Sequence, residues 1–192
     1  MSGRLISRIL LATCFVLFTI FSLTSGAFAR SSLNSPLLSG KNIPSWSQWH
    51  IVPGSNAGPQ NELTAILALS GKDVWAVGDY NGTTLTEHWN GTSWSIVASP
   101  DVSNSFNFLL GVAAVASNNL WAVGYYHNDS TPNRTLILHW NGERWRIVPS
   151  PNASPDWNVL YAVTTAPNGT ATAVGYYYDT DITAKTLIEA SR

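Results

Sequence analysis

One stretch of this chain occurs twice, and it restricts the fold more than any other feature. It reads HWNGERWRIVP from His139 to Pro149, and an earlier copy reads HWNGTSWSIVA from His88 to Ala98. A shorter version, WHIVP, occupies residues 49–53. Each full copy places Asn-Gly between two aromatic and apolar segments, which is typical of a tight β-hairpin. The repeat therefore predicts strands joined by short turns, and it specifies no reaction.

A second repeated segment precedes each hairpin and ends in glycine. Trp-Ala-Val-Gly occurs at residues 75–78 and 121–124, and Thr-Ala-Val-Gly occurs at 172–175. The period is about 50 residues, and the variation in length falls in one loop of each unit. Each unit offers up to four strand candidates. The first two are apolar on both faces, as expected for strands that are buried on both sides.

Four-stranded units at this spacing predict an all-β fold. We expect a β-propeller-like array of about three four-stranded antiparallel blades in an incomplete ring. The expected elements are a fourth strand at 46–53, blades at 63–98 and 109–149, and a partial blade at 158–189. The strand at 46–53 would complete the partial blade.

The closure of this ring is open at the level of sequence. Three blades are fewer than the ~4 to 8 blades of closed propellers. Two chains pairing into one ring, an open arc, and a truncated piece of a longer propeller all fit the repeats. Open blades would leave apolar faces and unpaired strand edges exposed, so self-association through those edges is a possible interaction.

The units resemble kelch-type propeller blades. The resemblance rests on a glycine that ends the second strand and on tryptophans flanking the following turn. Asn-Gly-Thr-Ser-Trp at 90–94 also resembles the Asp-box turn of sialidase-like propellers. The resemblance covers residues 46–189 and implies a secreted bacterial repeat protein. It departs from both families, because Val-Gly stands where kelch blades carry a glycine pair and the Asp-box aspartate is absent.

Several aromatic residues and glycines at repeated positions are expected to be structural. Trp75 and Trp121 lie in the middle of apolar strands and should pack between blades. The other tryptophans flank a hairpin and should pair across it. The full set of expected structural repeat residues is Trp75, Gly78, Trp89, Trp94, Trp121, Gly124, Trp140, Trp145 and Gly175.

A ligand site is expected on one face of the array. Because strand direction alternates, the loops after the second strands and the connections between blades lie on the same face, which we call the loop face. These loops vary in length and sequence, and variable loops on a rigid framework are the usual place for binding. The candidate ligand-binding residues are Tyr80, Tyr126, Trp157, Tyr177 and Asp179. The alternative is that they are ordinary strand-end and loop residues.

Catalysis, metal binding and cofactors are not expected. His88 and His139 occupy equivalent repeat positions, as outer-strand residues would. Asp179 and Asp181 are too few oxygen ligands for Ca²⁺. A sialidase-like site needs a cluster of arginines, and only Arg134 falls near the loop face. We therefore expect a binding or interaction module for a glycan or an extracellular protein. A truncated or degenerate propeller fragment with a structural role is the alternative, and a glycoside-processing enzyme is a weaker one.

The N-terminal residues predict secretion. Arg4 and Arg8 precede an uncharged apolar run at 9–23, and Ala27-Phe28-Ala29 fits a signal-peptidase site. Residues 1–29 are thus expected to be a helical signal peptide, and 30–45 a flexible linker. An uncleaved membrane anchor is the alternative. The net charge of −1 makes nucleic acid an unexpected partner.

Overall fold

A computed structural model describes residues 49–191. The predicted signal peptide, the linker and residues 46–48 of the predicted fourth strand lie outside the described residues. The described part contains eleven strands: β1 (Asn61–Ser70), β2 (Asp73–Tyr80), β3 (Thr83–Trp89), β4 (Trp94–Ile96), β5 (Phe106–Ala116), β6 (Asn119–His127), β7 (Arg134–Trp140), β8 (Trp145–Ile147), β9 (Asn158–Thr165), β10 (Ala171–Tyr178) and β11 (Ala184–Ala190). Residues 49–191 contain no helix with the length and apolar character of a membrane span.

The strands form three separate antiparallel sheets, each built from consecutive strands. Blade 1 has the order β1-β2-β3-β4, blade 2 has β5-β6-β7-β8, and blade 3 has β9-β10-β11. Blade 1 packs on blade 2 and blade 2 packs on blade 3, with β5 and β9 at the centre of these contacts. The prediction of an all-β fold made of antiparallel, propeller-like blades is confirmed.

The repeated Asn-Gly pairs form the hairpin turns between the third and fourth strands. Gly91 and Gly142 have φ values of 96° and 94°, which glycine adopts without steric cost. The Asn90 side-chain oxygen accepts hydrogen bonds from the backbone N–H groups of Thr92 and Ser93, at 2.9 and 3.0 Å. Asn141 makes the same pair of bonds one blade later. The turn is therefore held by the asparagine amide and by the freedom of the glycine.

The three glycines that end the second-strand repeats lie against bulges in the first strand of each blade. These strands, β1, β5 and β9, are called the innermost strands below. Gly124 pairs with Leu109, directly beside the register shift between Leu109 and Gly111. Gly78 occupies the same position in blade 1, and Gly175 in blade 3. A Cβ atom at any of them would overlap a backbone carbonyl of the neighbouring strand. Glycine is thus required here by the close approach of two backbones.

The larger core lies between blades 1 and 2 and is rich in tryptophan. Trp75 from β2 and Trp145 from β8 are 3% and 4% exposed, with ring centroids 5.7 Å apart. Trp140 lies 5.0 Å from Trp75. The hairpin of blade 2 therefore closes over the second strand of blade 1, in addition to the contact of Trp140 with Trp145 across the hairpin.

The two remaining hairpin tryptophans pair with each other, and Trp121 has a different neighbour. Trp89 and Trp94 lie 5.8 Å apart across the first hairpin. The ring of Trp121 contacts that of His139, with centroids 4.4 Å apart and planes tilted by 41°. A smaller core joins blades 2 and 3 through Val123, Leu160 and other apolar residues of β6, β9, β10 and β11.

The N-terminal part of the described chain differs from the expected fourth strand. Residues 49–53 form no strand, and Trp49 and Ile51 are 97% and 95% exposed. The residues that follow are held on blade 1, where Ser55 donates from its backbone N to Glu87 Oε2 at 3.2 Å and from its Oγ to the Trp94 carbonyl at 2.8 Å. Within residues 49–191, blade 3 therefore has three strands.

Candidate ligand-binding groove

An asparagine at or near the start of each innermost strand holds the segment that precedes this strand on the loop face. Asn107 and Asn158 are fully buried. The Asn107 side-chain oxygen accepts hydrogen bonds from the backbone N–H groups of Val102 and Ser103, both at 2.9 Å. Asn61 and Asn158 bind the preceding connections in the same way. These side chains satisfy buried or part-buried backbone donors. In blades 2 and 3 they hold the interblade connection against the blade that follows it.

The positions directly after the repeated glycines bring polar and aromatic groups to one surface. They are Asp79 in blade 1, Tyr125 in blade 2 and Tyr176 in blade 3. The Tyr125 ring lies 4.9 Å from that of Phe108, and the Tyr176 ring lies 5.8 Å from that of Tyr161. We call the surface formed by these residues the acid–aromatic groove. Its members are Glu62, Asp79, Phe108, Tyr125, Tyr161 and Tyr176.

The groove begins in an open cavity between blades 1 and 2. This cavity has a volume of about 590 Å³, and Glu62, Asp79, Phe106 and Phe108 are among the residues that line it. Phe106 is 38% exposed and stacks on His127, with ring centroids 4.5 Å apart. On blade 3, Tyr161 is 53% exposed. Aromatic faces are therefore accessible on both blade 2 and blade 3.

The pKa values of Asp79 and Tyr125 depend on burial and on neighbouring groups in the groove. Burial raises the pKa of Asp79; the backbone hydrogen bond with Gly82 acts in the opposite direction, and the charge of Glu62 raises the pKa further. Burial also raises the pKa of Tyr125, and the groups of Tyr161 and Asp79 add to that shift. Burial likewise raises the pKa of Tyr176, so the hydroxyls of Tyr125 and Tyr176 stay protonated at neutral pH and can donate hydrogen bonds. Beside them, the carboxylates of blade 1 supply acceptors.

Three of the sequence-predicted ligand residues lie one position further along the same strands. Tyr126 packs against the core between blades 1 and 2, and Tyr177 packs against the core between blades 2 and 3. Tyr80 holds the equivalent position in blade 1. Successive side chains of a strand point to opposite faces. The neighbouring residues Asp79, Tyr125 and Tyr176 therefore face the groove, and the three predicted tyrosines are on the other side of their strands.

The other two predicted ligand residues lie in loops of blade 3. Trp157 is 48% exposed, and its carbonyl accepts a hydrogen bond from Tyr178 N at 2.9 Å. Asp179 holds its own turn, because its Oδ1 accepts hydrogen bonds from Thr183 N at 2.9 Å and from Asp181 N at 3.0 Å. The hydrogen bond from Thr183 is the largest cause that lowers the pKa of Asp179. These contacts give Asp179 a role in the turn itself.

No metal site is found in the described part of the chain, where no three His, Cys, Asp or Glu side chains are grouped. The histidines of the repeat bind residues at the opposite end of the strands from the groove. His88 Nε2 lies 2.9 Å from Asp73 Oδ1, which also accepts a hydrogen bond from Trp75 Nε1 at 3.1 Å. His139 Nε2 lies 3.0 Å from Asn119 Oδ1, and burial lowers the pKa of His139.

The groove residues carry a weaker sequence signal than the hairpins. The Asn-x-Leu triplet at 61–63, 107–109 and 158–160 recurs with the blades and marks the start of each innermost strand. The groove residue of each second strand is the one after the repeated glycine. It is aspartate in blade 1 and tyrosine in blades 2 and 3, so a search for residues identical in all three blades passes over it.

Comparison with known proteins identifies no family for this chain. No family model matches it, and no curated protein matches it. One similar solved structure is YCF48 bound to D1 peptide, with a TM-score of 0.45, 15% identity, and coverage of 71% of this chain and 46% of that chain. Another is a fucose lectin from Kordia zhangzhouensis in complex with methyl-fucoside, with a TM-score of 0.44, 14% identity, and coverage of 65% and 90%. The chain thus spans about half the length of the first of these proteins.

Proposed function

We propose that the chain is a secreted, non-catalytic binding module and that the acid–aromatic groove holds a glycan. The observation that carries the proposal is the placement of Asp79, Tyr125 and Tyr176 at equivalent positions of three packed blades. Aromatic rings stack on the apolar faces of sugar rings, while phenol hydroxyls and carboxylates form hydrogen bonds with sugar hydroxyls. Secretion follows from the predicted signal peptide.

A protein ligand is the second candidate function. Glu62 and Asp79 place two carboxylates at the blade 1 end of the groove, and the groove as defined contains no basic residue. A lysine or arginine side chain would find both an opposite charge and aromatic faces there. A ligand of this kind would be a basic segment of an extracellular protein.

Affinity electrophoresis in native gels that contain soluble neutral polysaccharides tests the glycan proposal. Xylan, mannan and mixed-linkage β-glucan are suitable probes. We expect at least one of them to retard the wild-type chain, and Tyr161→Ala to remove most of the retardation. Trp157→Ala is the matched control, because Trp157 is similarly exposed and lies outside the groove. Its retardation should match that of the wild type.

Two results would count against the glycan. Equal loss of retardation in Tyr161→Ala and Trp157→Ala would show that the groove is not the site. Binding to an immobilised oligo-lysine peptide, in place of the polysaccharides, would favour the protein ligand. That binding should weaken at 1 M salt, where the screening length falls to ~3 Å, whereas stacking on a neutral sugar should persist.

A further inference from the structure

Within residues 49–191, the outer edge of blade 3 has no fourth strand of the kind that blades 1 and 2 possess. In blades 1 and 2 the third strand pairs with a short fourth strand, through Trp89 with Trp94 and Trp140 with Trp145. In blade 3 the third strand is β11, and within residues 49–191 no strand pairs with its outer edge. The backbone groups of that edge are thus available to an added strand.

A cavity beside this edge lies where the tryptophan of a fourth strand would pack. It has a volume of about 490 Å³, lies between blades 2 and 3, and is lined by Trp121, Val148, Pro149, Glu189 and Ala190, among others. In the preceding interface, Trp140 and Trp145 of the blade 2 hairpin cover the equivalent residue Trp75. An added fourth strand in blade 3 would place its own tryptophan over Trp121 in the same way.

The chain itself contains a segment with the sequence of a fourth strand. Residues 49–53 read WHIVP, and the segment that begins at β8 reads WRIVP at 145–149. Just after the first segment, the backbone N–H of Ser55 donates to the Glu87 carboxylate. Just after the second, the Ser150 hydroxyl donates to the Glu189 carboxylate at 2.6 Å. The contact of residues 49–55 with blade 1 therefore corresponds to the contact that the end of blade 2 makes with blade 3.

This contact lies on the side of blade 1 that faces away from the other blades of the same chain. Leu138 is the blade 2 equivalent of Glu87, and it lies in the core shared with blade 1. Glu87, by the same repeat, faces the outer side of blade 1, and the segment anchored there continues on that side. The segment is thus placed to meet the edge of blade 3 from a second copy.

The outer faces of the first and last blades support the same arrangement. On blade 1, Leu63 and Ile66 are 47% and 67% exposed. On blade 3, Val174 and Ile188 are 43% and 69% exposed. The blade 2 equivalents of the latter pair, Val123 and Ile137, are packed in the core shared with blade 3. Exposed apolar residues therefore occupy the positions that form the interface between consecutive blades.

We propose that copies of this chain join head to tail. The outer face of blade 1 of one copy packs on the outer face of blade 3 of the next, and residues 49–53 of the first copy add to β11 of the second as its fourth strand. Main-chain hydrogen bonds fix the strand, and Trp49 fills the cavity beside Trp121. This interface is separate from the acid–aromatic groove and does not depend on its ligand.

The register of the existing hairpins specifies the contact to be tested. His88 pairs with Ser95 in blade 1, and His139 pairs with Arg146 in blade 2. The corresponding pair in the proposed interface is Ala190 of one copy with His50 of the other. Both are exposed in the structure. Directly paired residues of antiparallel strands have Cα atoms ~4.5 to 5.5 Å apart, within the range of a disulfide.

The experiment is disulfide trapping in the full chain, with Cys14→Ser to remove the native thiol. Copies with His50→Cys and differently tagged copies with Ala190→Cys are co-expressed, extracted in mild detergent and oxidised. We expect a dimer that carries both tags. The matched control replaces Ala190→Cys by Lys185→Cys, which is exposed at the other end of β11 and should give at least tenfold less of this dimer.

Each other outcome would overturn the proposal. Absence of the mixed dimer, or equal yields with Ala190→Cys and Lys185→Cys, would exclude the specified register. A chain with both His50→Cys and Ala190→Cys could instead form an intrachain disulfide without mixed dimers in the co-expression. That result would show that the segment closes onto its own blade 3 and would exclude the second copy as the occupant.

Discussion

Replacement of Gly124 by alanine should destabilise the fold strongly. The added Cβ would overlap the carbonyl oxygen of Phe108 and would lie 2.8 Å from its carbonyl carbon and 3.0 Å from the Cα of Leu109. All three atoms belong to the backbone of β5, so no change of side-chain rotamer can relieve the overlap. The strands β5 and β6 must move apart beside the bulge.

The size of the effect follows from this separation. Ordinary contacts of a Cβ atom begin at 3.4 Å, so β5 must shift by more than ~1 Å from a partner that normally lies ~4.8 Å away. One or two ladder hydrogen bonds at ~1 kcal/mol each are lost, and overpacking adds ~1 to 3 kcal/mol. We expect a total loss of about 3 kcal/mol, which is a large part of the ~5 to 15 kcal/mol that stabilises a typical domain.

Urea unfolding followed by tryptophan fluorescence measures this loss. The control is Gly71→Ala, because an added Cβ at Gly71 meets no atom within 4 Å. The control should stay within about 0.5 kcal/mol of the wild type, as surface substitutions usually do. If Gly124→Ala also stayed within that margin, the reading of the repeated glycines as close-approach positions would be refuted.

Three further outcomes are expected. Trp145→Ala should cost about 3 to 5 kcal/mol because it empties the core beside Trp75, whereas Trp157→Ala should cost much less because Trp157 is 48% exposed; urea unfolding compares the two, and equal losses would contradict the interblade role. Asn107→Ala should leave the buried N–H of Ser103 and the part-buried N–H of Val102 unpaired, at ~1 to 3 kcal/mol for the buried donor, and should speed amide exchange at the preceding connection more than in the rest of blade 2. Asp79→Asn should stabilise the fold at pH 7 and lose this advantage at pH 3, since a raised carboxyl pKa gives stability that is present below the ordinary pKa and is lost as pH rises through the folded-state value; thermal melts at both pH values check the sign, and a larger gain at pH 3 would reverse it.

The repeat architecture could be predicted because its signals are local. The Asn-Gly turns depend on side-chain and backbone contacts within a few residues, and the glycine at the end of each second strand recurs as part of a four-residue pattern. Whether residues 49–53 form a strand could not be predicted in the same way. A fourth strand needs a partner edge, and its position depends on which blade lies beside the segment in space.

The predicted tyrosines and the groove residues differ by a single position along each second strand. Tyr125 and Tyr126 are adjacent and chemically identical, and only the face of β6 separates their surroundings. Which face meets a neighbouring blade depends on how the sheets pack and on the bulge opposite Gly124, and both are tertiary properties. A sequence pattern identifies the strand end, but it does not assign the two tyrosines to core and groove.

The internal repeat offers a way to make that assignment. Tyr80, Tyr126 and Tyr177 are the same residue in all three blades, as a packing position would require. The preceding position changes from aspartate to tyrosine, and the innermost strands differ as well, with Glu62 where blade 2 has Phe108. Packing demands the same solution from each blade, whereas a single ligand that lies across several blades does not require the same chemical group on each. Positions that vary among otherwise matching blades are therefore the better candidates for binding, and here they coincide with the groove.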